Sequence, residues 1–257
     1  MLTRGVGYAP PGVLASLVRD VDLLCLDAGN TLVFLDHARV ASICARAGFA
    51  TTAEALRAAE GRAKIALEEG TALHVAWSRA HVAASRGWAG YLGTLVAAAG
   101  LAPALVPAAL EALWPEHEAK NLFSLVPEEL PPALGRARAA GMRVAVVSNS
   151  EGKLEALLED VGLRPVLDLV VDSARVGVEK PDPRIFGVAL ERFGVPPARA
   201  LHVGDLYATD VVGARAAGMR VALVDPFGHL RGRHPDVARV SGVAEVAEAL
   251  ARALGPP

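Results

Sequence analysis

Five short runs rich in Val and Leu recur along this chain, and helical patterns separate most of them. The runs lie at residues 21–26, 142–147, 168–171, 200–203 and 220–224. A short apolar run without polar alternation is typical of a strand that is buried on both faces. Strands that alternate with helices predict an α/β fold, in which helices cover both faces of a parallel sheet.

A repeated segment supports this prediction. The segments ARAAGMRVAVV (137–147) and ARAAGMRVALV (214–224) differ at one position. Each is typical of the last turns of a helix, followed by a glycine just after the helix and then by a buried strand. The chain therefore repeats one helix–strand unit under the same packing demand.

The stretch from residue 36 to residue 125 contains no such run and shows only helical patterns. It follows the first strand directly, at the sheet edge where open α/β folds bind ligands. We therefore expect an α/β core domain of residues 1–35 and 126–257, interrupted by a helical cap domain of residues 36–125. A cap in this place can form a lid.

Composition excludes several classes of function. Lys and Arg total 26 and Asp and Glu total 28, so the net charge of −2 does not indicate binding to nucleic acid or to an anionic membrane. The first residues lack the apolar core of a signal peptide. The uncharged stretch at residues 91–110 contains two prolines, which predicts two short helices rather than a membrane span. We expect a cytoplasmic protein, and the oligomeric state is left open.

Polar residues stand where the predicted strands end. In a parallel sheet these ends meet at one edge, and Pro181 fixes Lys180 ahead of a predicted helix at the same edge. The residues that converge are Asp27, Ser148, Asn149, Lys180, Asp205 and Asp210.

Each of these residues has an ordinary interpretation when it is taken alone. Asp27 is then a turn residue, Ser148 or Ser150 caps a helix beginning near residue 151, and Asp210 caps the next one. The set is harder to explain in this way. Carboxylates, a hydroxyl and an ammonium at neighbouring strand ends predict a site for a metal ion and a phosphate.

Four segments resemble the motifs of the haloacid dehalogenase-like hydrolase superfamily, in its subfamily with a helical cap. They are DAGNT (27–31), VVSNS (146–150), GVEKPDPRIF (177–186) and HVGDLYATD (202–210). Their order agrees with that of the superfamily, and the helical insert falls between the first and second motifs, as the cap does. The resemblance implies a Rossmann-like α/β core with an inserted α-helical cap, and a phosphatase acting on a small phosphorylated metabolite.

The resemblance also implies roles in phosphoryl transfer. Asp27 would be the nucleophile and form a covalent aspartyl intermediate. Thr31 and Ser148 would hydrogen-bond the phosphoryl group, and Lys180 would neutralise charge between that group and the nucleophile. Ser148, Asn149 and Lys180 would bind the substrate. Such positioning and neutralisation is what phosphoryl transfer requires of a protein.

A Mg²⁺ ion is the cofactor that the resemblance implies. Asp27, Asp205 and the backbone carbonyl of Gly29 would coordinate it, while Asp210 would support the metal or Lys180 from just outside. A hard cation ligated by oxygen atoms suits such a set.

Gly29 departs from the superfamily pattern, in which most phosphatases have a second Asp as general acid and base. Glycine keeps the backbone carbonyl but cannot transfer a proton, and a positioned acid–base group contributes roughly 10²–10⁴-fold to rate. The sequence therefore predicts a phosphatase that is slow or specialised. Asp36 or His37 could supply the missing group, although the simpler interpretation of Asp36 is the N-cap of a helix.

Three alternatives remain open. A 2-haloacid dehalogenase needs no general acid, but its fourth motif lacks the Gly–Asp pair that Gly204 and Asp205 form here. A phosphonatase would need a lysine in the cap, where Lys64 and Lys120 match no recognised segment. The third alternative is a weakly catalytic protein that binds a phosphorylated metabolite.

Overall fold

A computed structural model of the chain describes residues 8–75, 77 and 83–255. The chain divides into two compact units. One contains the residues up to Phe34 and from Leu125 onward, and the other is Leu35–Ser124. They are called the core unit and the helical unit below.

The core unit contains a six-stranded parallel sheet. Its strands are β1 (Leu23–Leu26), β4 (Arg143–Ser148), β5 (Leu169–Asp172), β6 (Ala200–Gly204), β7 (Arg220–Val224) and β8 (Ala238–Val240). They lie in the order β5-β4-β1-β6-β7-β8. All five predicted runs form strands of this sheet, and the α/β prediction is confirmed, whereas β8 was not predicted.

The helices of the core unit come between these strands. They are α1 (Pro11–Val18), α6 (Leu130–Ala139), α7 (Leu154–Asp160), α8 (Ser173–Val176), α9 (Arg184–Phe193), α10 (Val212–Ala216) and α11 (Val243–Leu254). A π-helical turn, Tyr207–Val211, precedes α10. In both copies of the repeated segment, a glycine with positive φ separates the helix from the strand, as predicted. These glycines are Gly141 and Gly218.

The strand register aligns the carboxyl ends of the central strands. Leu26, the last residue of β1, pairs with Val146 of β4 and with Val203 of β6. The residues of β1 and the last five of β4 are buried, so these strands are rigid supports inside the core. The residues that follow them must therefore emerge side by side.

The helical unit is built from α2 (His37–Arg46), α3 (Ala53–Glu68), α4 (Ala83–Ala98) and α5 (Val106–Ala119). Its core includes three buried tryptophans, Trp77, Trp88 and Trp114, whose ring centroids lie 5.0–5.6 Å apart. Residues 76 and 78–82 of the predicted insert lie outside the described residues. Of the helices described, none has the length and apolar character needed to cross a membrane.

Two short strands, β2 (Phe34–Leu35) and β3 (Phe123–Leu125), pair with each other at the two points where the chain passes between the units. Asp36 follows β2 and accepts a hydrogen bond from the backbone N–H of Arg39 at 2.9 Å. Asp36 is therefore the N-cap of α2, in agreement with its simpler interpretation.

Candidate active site

A tight turn presents Asp27 at the end of β1. The backbone N–H groups of Leu32 and Val33 both donate to the carbonyl of Ala28, at 2.9 and 3.0 Å. Asn30 has a φ of 53°, in the left-handed region that asparagine tolerates better than most residues. The sequence after the strand thus folds back at once and leaves the Asp27 carboxylate at the sheet edge.

Two side chains from other motifs hold this carboxylate. Lys180 Nζ donates to Asp27 Oδ1 at 2.5 Å, and Ser148 Oγ donates to the same oxygen at 3.0 Å. All three residues are buried. The structure therefore brings together residues that lie more than 100 positions apart in the sequence.

Asn149 positions the backbone of Lys180. Its Oδ1 accepts from the Lys180 backbone N–H at 2.8 Å, and its Nδ2 donates to the Lys180 carbonyl at 3.0 Å. This reciprocal pair joins the end of β4 to the segment ahead of α9. Asn149 therefore contacts the lysine backbone, and its predicted role toward substrate stays a prediction.

The Lys180 ammonium lies between two carboxylates, because Nζ also donates to Asp210 Oδ1 at 2.7 Å. Burial alone would lower the pKa of Lys180, but Asp210 and Asp27 raise it above its usual value. Lys180 is consequently a fixed positive charge beside the Asp27 oxygen.

Three donor groups contact the Asp210 carboxylate. Besides Lys180, His202 Nε2 lies 3.0 Å from Asp210 Oδ1, and the backbone N–H of Leu206 donates to Oδ2 at 3.0 Å. Burial would raise the pKa of Asp210, but Lys180 and His202 lower it well below its usual range. A Cβ atom at Gly204 would lie 2.2 Å from Asp210 Cγ, so only glycine fits beside this carboxylate.

Among the described residues, Asp27, Asp205 and Asp210 form a group whose ligand atoms lie within 4.8 Å of one another. All three are buried, and the Lys180 ammonium pairs with two of them, Asp27 and Asp210. Hard carboxylate oxygens with excess negative charge fit Mg²⁺. Asp210 already accepts hydrogen bonds at both of its carboxylate oxygens.

Two further residues of the first motif, Thr31 and Gly29, lie in the turn after Asp27. Thr31 Oγ1 is buried and has no hydrogen-bond partner within the described part of the chain. Gly29 forms an isolated parallel bridge with Val33. A buried hydroxyl without a partner suits a ligand that is bound next to Asp27.

The loop after Ser148 differs from the sequence prediction. Helix α7 begins at Leu154 without a side-chain cap, so the interpretation of Ser150 as a helix cap is wrong. The buried carboxylate of Asp172 holds the loop instead, accepting from the backbone N–H groups of Gly152 at 3.2 Å and Leu154 at 3.1 Å.

Asp172 and His202 were both missed from sequence. Asp172 ends β5, just as Asp27 follows β1, and its position at a strand end was the signal available. His202 stands inside an apolar strand, where a buried polar side chain needs a partner on the same face.

His37, the other proposed substitute for the missing acid, lies in the helical unit. It is buried, and its Nε2 is 3.4 Å from Oε2 of the buried Glu60. His37 is therefore paired with a carboxylate of α3.

A comparison with known protein families agrees with the arrangement of this site. A family model described as haloacid dehalogenase-like hydrolase matches residues 21–218, well over half of the chain. The chain belongs to this family. The matched region includes every residue of the site described above.

Curated relatives share part of the chain. Haloacid dehalogenase-like hydrolase domain-containing protein 3 of Bos taurus is 42% identical over 123 residues, which cover 48% of each chain. Phosphoserine phosphatase of Thermus thermophilus is 39% identical over 158 residues, covering 59% of this chain and 61% of that enzyme. The chain thus spans about half the length of the curated relatives it matches.

Solved structures share the fold. The putative HAD-hydrolase YfnB from Bacillus subtilis, bound to magnesium, gives a TM-score of 0.59 at 18% identity and covers 90% of this chain and 98% of that chain. L-2-haloacid dehalogenase from Xanthobacter autotrophicus gives 0.56 at 20% identity, covering 88% and 97%. At these identities the likeness establishes the fold alone.

Proposed function

We propose that this protein is a hydrolase, a Mg²⁺-dependent phosphatase of a small phosphorylated metabolite, and that Asp27 is its nucleophile. The observation that carries the proposal is the pair of donors on one Asp27 oxygen, Lys180 Nζ at 2.5 Å and Ser148 Oγ at 3.0 Å. They orient the carboxylate and leave Oδ2 as the oxygen that a phosphoryl group can approach.

In the proposed reaction, an Asp27 oxygen attacks phosphorus and the bond to the leaving alcohol breaks. Water then attacks the aspartyl phosphate, which releases phosphate and restores the carboxylate. The Lys180 ammonium neutralises charge on the phosphoryl oxygens, and the hydroxyls of Ser148 and Thr31 are the proposed hydrogen-bond donors.

Asp27, Asp205 and the backbone carbonyl of Gly29 are the residues proposed to hold Mg²⁺, with Asp210 acting through Lys180. When bound, the ion would supply positive charge for the phosphoryl oxygens. The proposal also assigns residues 36–125 to a cap domain that selects the substrate, and residues 1–35 and 126–257 to the catalytic core.

A haloacid dehalogenase is the second candidate, and Gly29 is the observation that favours it, because expelling a halide needs no general acid. The Gly204–Asp205 pair favours the phosphatase. We therefore expect turnover of phosphate esters that requires Mg²⁺, and no turnover of 2-haloacids.

The deciding experiment measures hydrolysis of small phosphate esters and of 2-chloroacids, with Mg²⁺ and with a chelator. Asp27→Asn should abolish hydrolysis, and Asp205→Asn should remove the activation by Mg²⁺, so that its rate with Mg²⁺ falls to its rate with a chelator. Asp160→Asn, an exposed carboxylate at the end of α7, is the matched control and should retain wild-type rates. Metal-independent turnover of a chloroacid by the wild type would overturn the proposal in favour of the dehalogenase.

Gly29→Asp tests the missing acid. The wild type should hydrolyse an activated aryl phosphate far faster than an alkyl phosphate, because a departing alkoxide must be protonated. Gly29 is not one of the described glycines with positive φ, so its backbone angles do not by themselves forbid a side chain. The variant should therefore raise the rate with the alkyl ester by roughly tenfold or more, toward the usual contribution of an acid–base group.

Both rates are measured after circular dichroism has shown that the Gly29→Asp variant is folded. An equal loss with both esters in the folded variant contradicts the missing-acid account. The space at Gly29 would then belong to the substrate.

A further inference from the structure

His202 is a buried polar residue in the middle of β6, with only 1% of its surface exposed. Its Nε2 lies 3.0 Å from Asp210 Oδ1. Its Nδ1 is buried and has no hydrogen-bond partner among the residues described. The ring of Phe186 packs against it edge to face, with the centroids 4.9 Å apart.

These contacts determine the tautomer of the ring. The Asp210 carboxylate can only accept, so the hydrogen must be on His202 Nε2. The ring therefore donates from Nε2 to Asp210 Oδ1.

The Asp210 side chain depends on this donor for its position. Asp210 lies in the π-helical turn Tyr207–Val211, whereas His202 is fixed in a central strand. The same oxygen, Asp210 Oδ1, accepts from His202 and from Lys180 Nζ. The strand thereby fixes the carboxylate that holds Lys180 on the nucleophile.

We propose that His202 is a positioning residue of the active site: its Nε2–H fixes Asp210, so that Lys180 Nζ stays on Asp27 Oδ1. Because His202 also donates to Asp210 Oδ1, Lys180 is not the only group that stabilises this carboxylate. The positive charge of Lys180 can then act more strongly on Asp27 and on the phosphoryl group. The kinetic part of this inference rests on the proposed phosphatase activity.

The kinetic test compares two variants with an aryl phosphate as substrate. His202→Leu removes the donor, and kcat should fall about 10–100-fold, the usual effect of losing such a supporting hydrogen bond, while KM changes little. His202→Gln offers an amide N–H at similar reach and should restore most of kcat. A His202→Gln variant that is as slow as His202→Leu would contradict the role of the hydrogen bond.

A double-mutant cycle separates positioning from general packing. In an Asp210→Asn background, His202→Leu should cause no further loss of kcat, because its effect passes through Asp210. Fully additive losses would overturn the proposal. His117→Leu, which alters a buried histidine of the helical unit, is the matched control and should leave kcat within about twofold of the wild type.

Two measurements do not depend on activity. A long-range ¹H–¹⁵N NMR spectrum of the metal-free protein should show His202 with its hydrogen on Nε2. A crystal structure of His202→Leu should show Lys180 Nζ more than about 3.5 Å from Asp27 Oδ1, beyond hydrogen-bond range, compared with 2.5 Å in the wild type. An Nδ1–H tautomer or an unmoved Lys180 overturns the proposal, whereas a wild type without turnover refutes only the phosphatase.

Discussion

An added methyl group at position 204 is expected to break the hydrogen bonds that Asp210 accepts from Lys180 and His202. In Gly204→Ala, the new Cβ would lie 2.2 Å from Asp210 Cγ and 2.6 Å from both its Cβ and Oδ2. Carbon atoms pack at about 3.5–4.0 Å, so the two groups must separate by more than about 1 Å. The Asp210 contacts with Lys180 at 2.7 Å and His202 at 3.0 Å cannot survive such a shift.

The free-energy cost has two parts. Overpacking a filled site costs about 1–3 kcal/mol. Removing the partner of a buried charge, here that of Lys180, costs about 3–5 kcal/mol. Because Asp27 still pairs with Lys180, the lower ends apply, and we expect a loss of about 4 kcal/mol. At about 2–4 °C per kcal/mol for a chain of this size, Tm should fall by roughly 8–16 °C.

Thermal and urea denaturation of Gly204→Ala measure this loss, and the aryl phosphate assay follows kcat. Gly135→Ala is the matched control, because a Cβ at Gly135 inside α6 meets nothing within 4 Å. It should stabilise the protein by about 0.5–1 kcal/mol through helix propensity. The double variant Gly204→Ala/Asp210→Gly should be no less stable than Asp210→Gly alone, because no side-chain atom is left at position 210 to clash with the new Cβ. A Gly204→Ala protein with wild-type Tm and kcat would refute the tight packing around Asp210.

Two further predictions concern buried carboxylates. Burial would raise the pKa of Glu60, but His37 and Lys64 lower it, so its stabilisation is present above the usual pKa of 4.5 and is lost as pH falls below that value. Glu60→Gln should therefore lower the free energy of unfolding by about 3 kcal/mol at pH 7. In urea titrations below pH 4.5 the difference from the wild type should shrink, and an unchanged difference would contradict this. Asp172→Asn should cost about 1–3 kcal/mol, because Asp172 accepts from three backbone N–H groups, and should speed hydrogen exchange at Leu154; unchanged exchange would count against its role.

The parts of the fold that sequence predicts are those with a strong local signal. Each central strand is rich in apolar residues, because it is buried on both faces of a parallel sheet. Strand β8 (Ala238–Val240) escapes prediction since it has three residues at the sheet edge, one of them Arg239. Its place in the sheet comes from pairing with β7, which no local pattern encodes.

The candidate site divides in the same way. Parallel strands place Asp27 and Ser148 at one edge, so their meeting follows from topology and could be expected. The start of α7 and the role of Asp172 depend on hydrogen bonds between separate loops, which local propensity does not reveal. His202 illustrates both cases, since its burial was predictable from the strand and its partner was not.

The residues around Asp27 leave the proton for a leaving group without an obvious source. Lys180 is a weak acid because, although burial works in the opposite direction, Asp210 and Asp27 raise its pKa. The pKa of Asp210 is held low by Lys180 despite burial, so Asp210 has no proton to give. Ser148 already donates its hydroxyl hydrogen to Asp27, and Gly29 has no side chain. The proton must then come from water, from the substrate or from a residue outside this group, so turnover should rise with the acidity of the leaving alcohol.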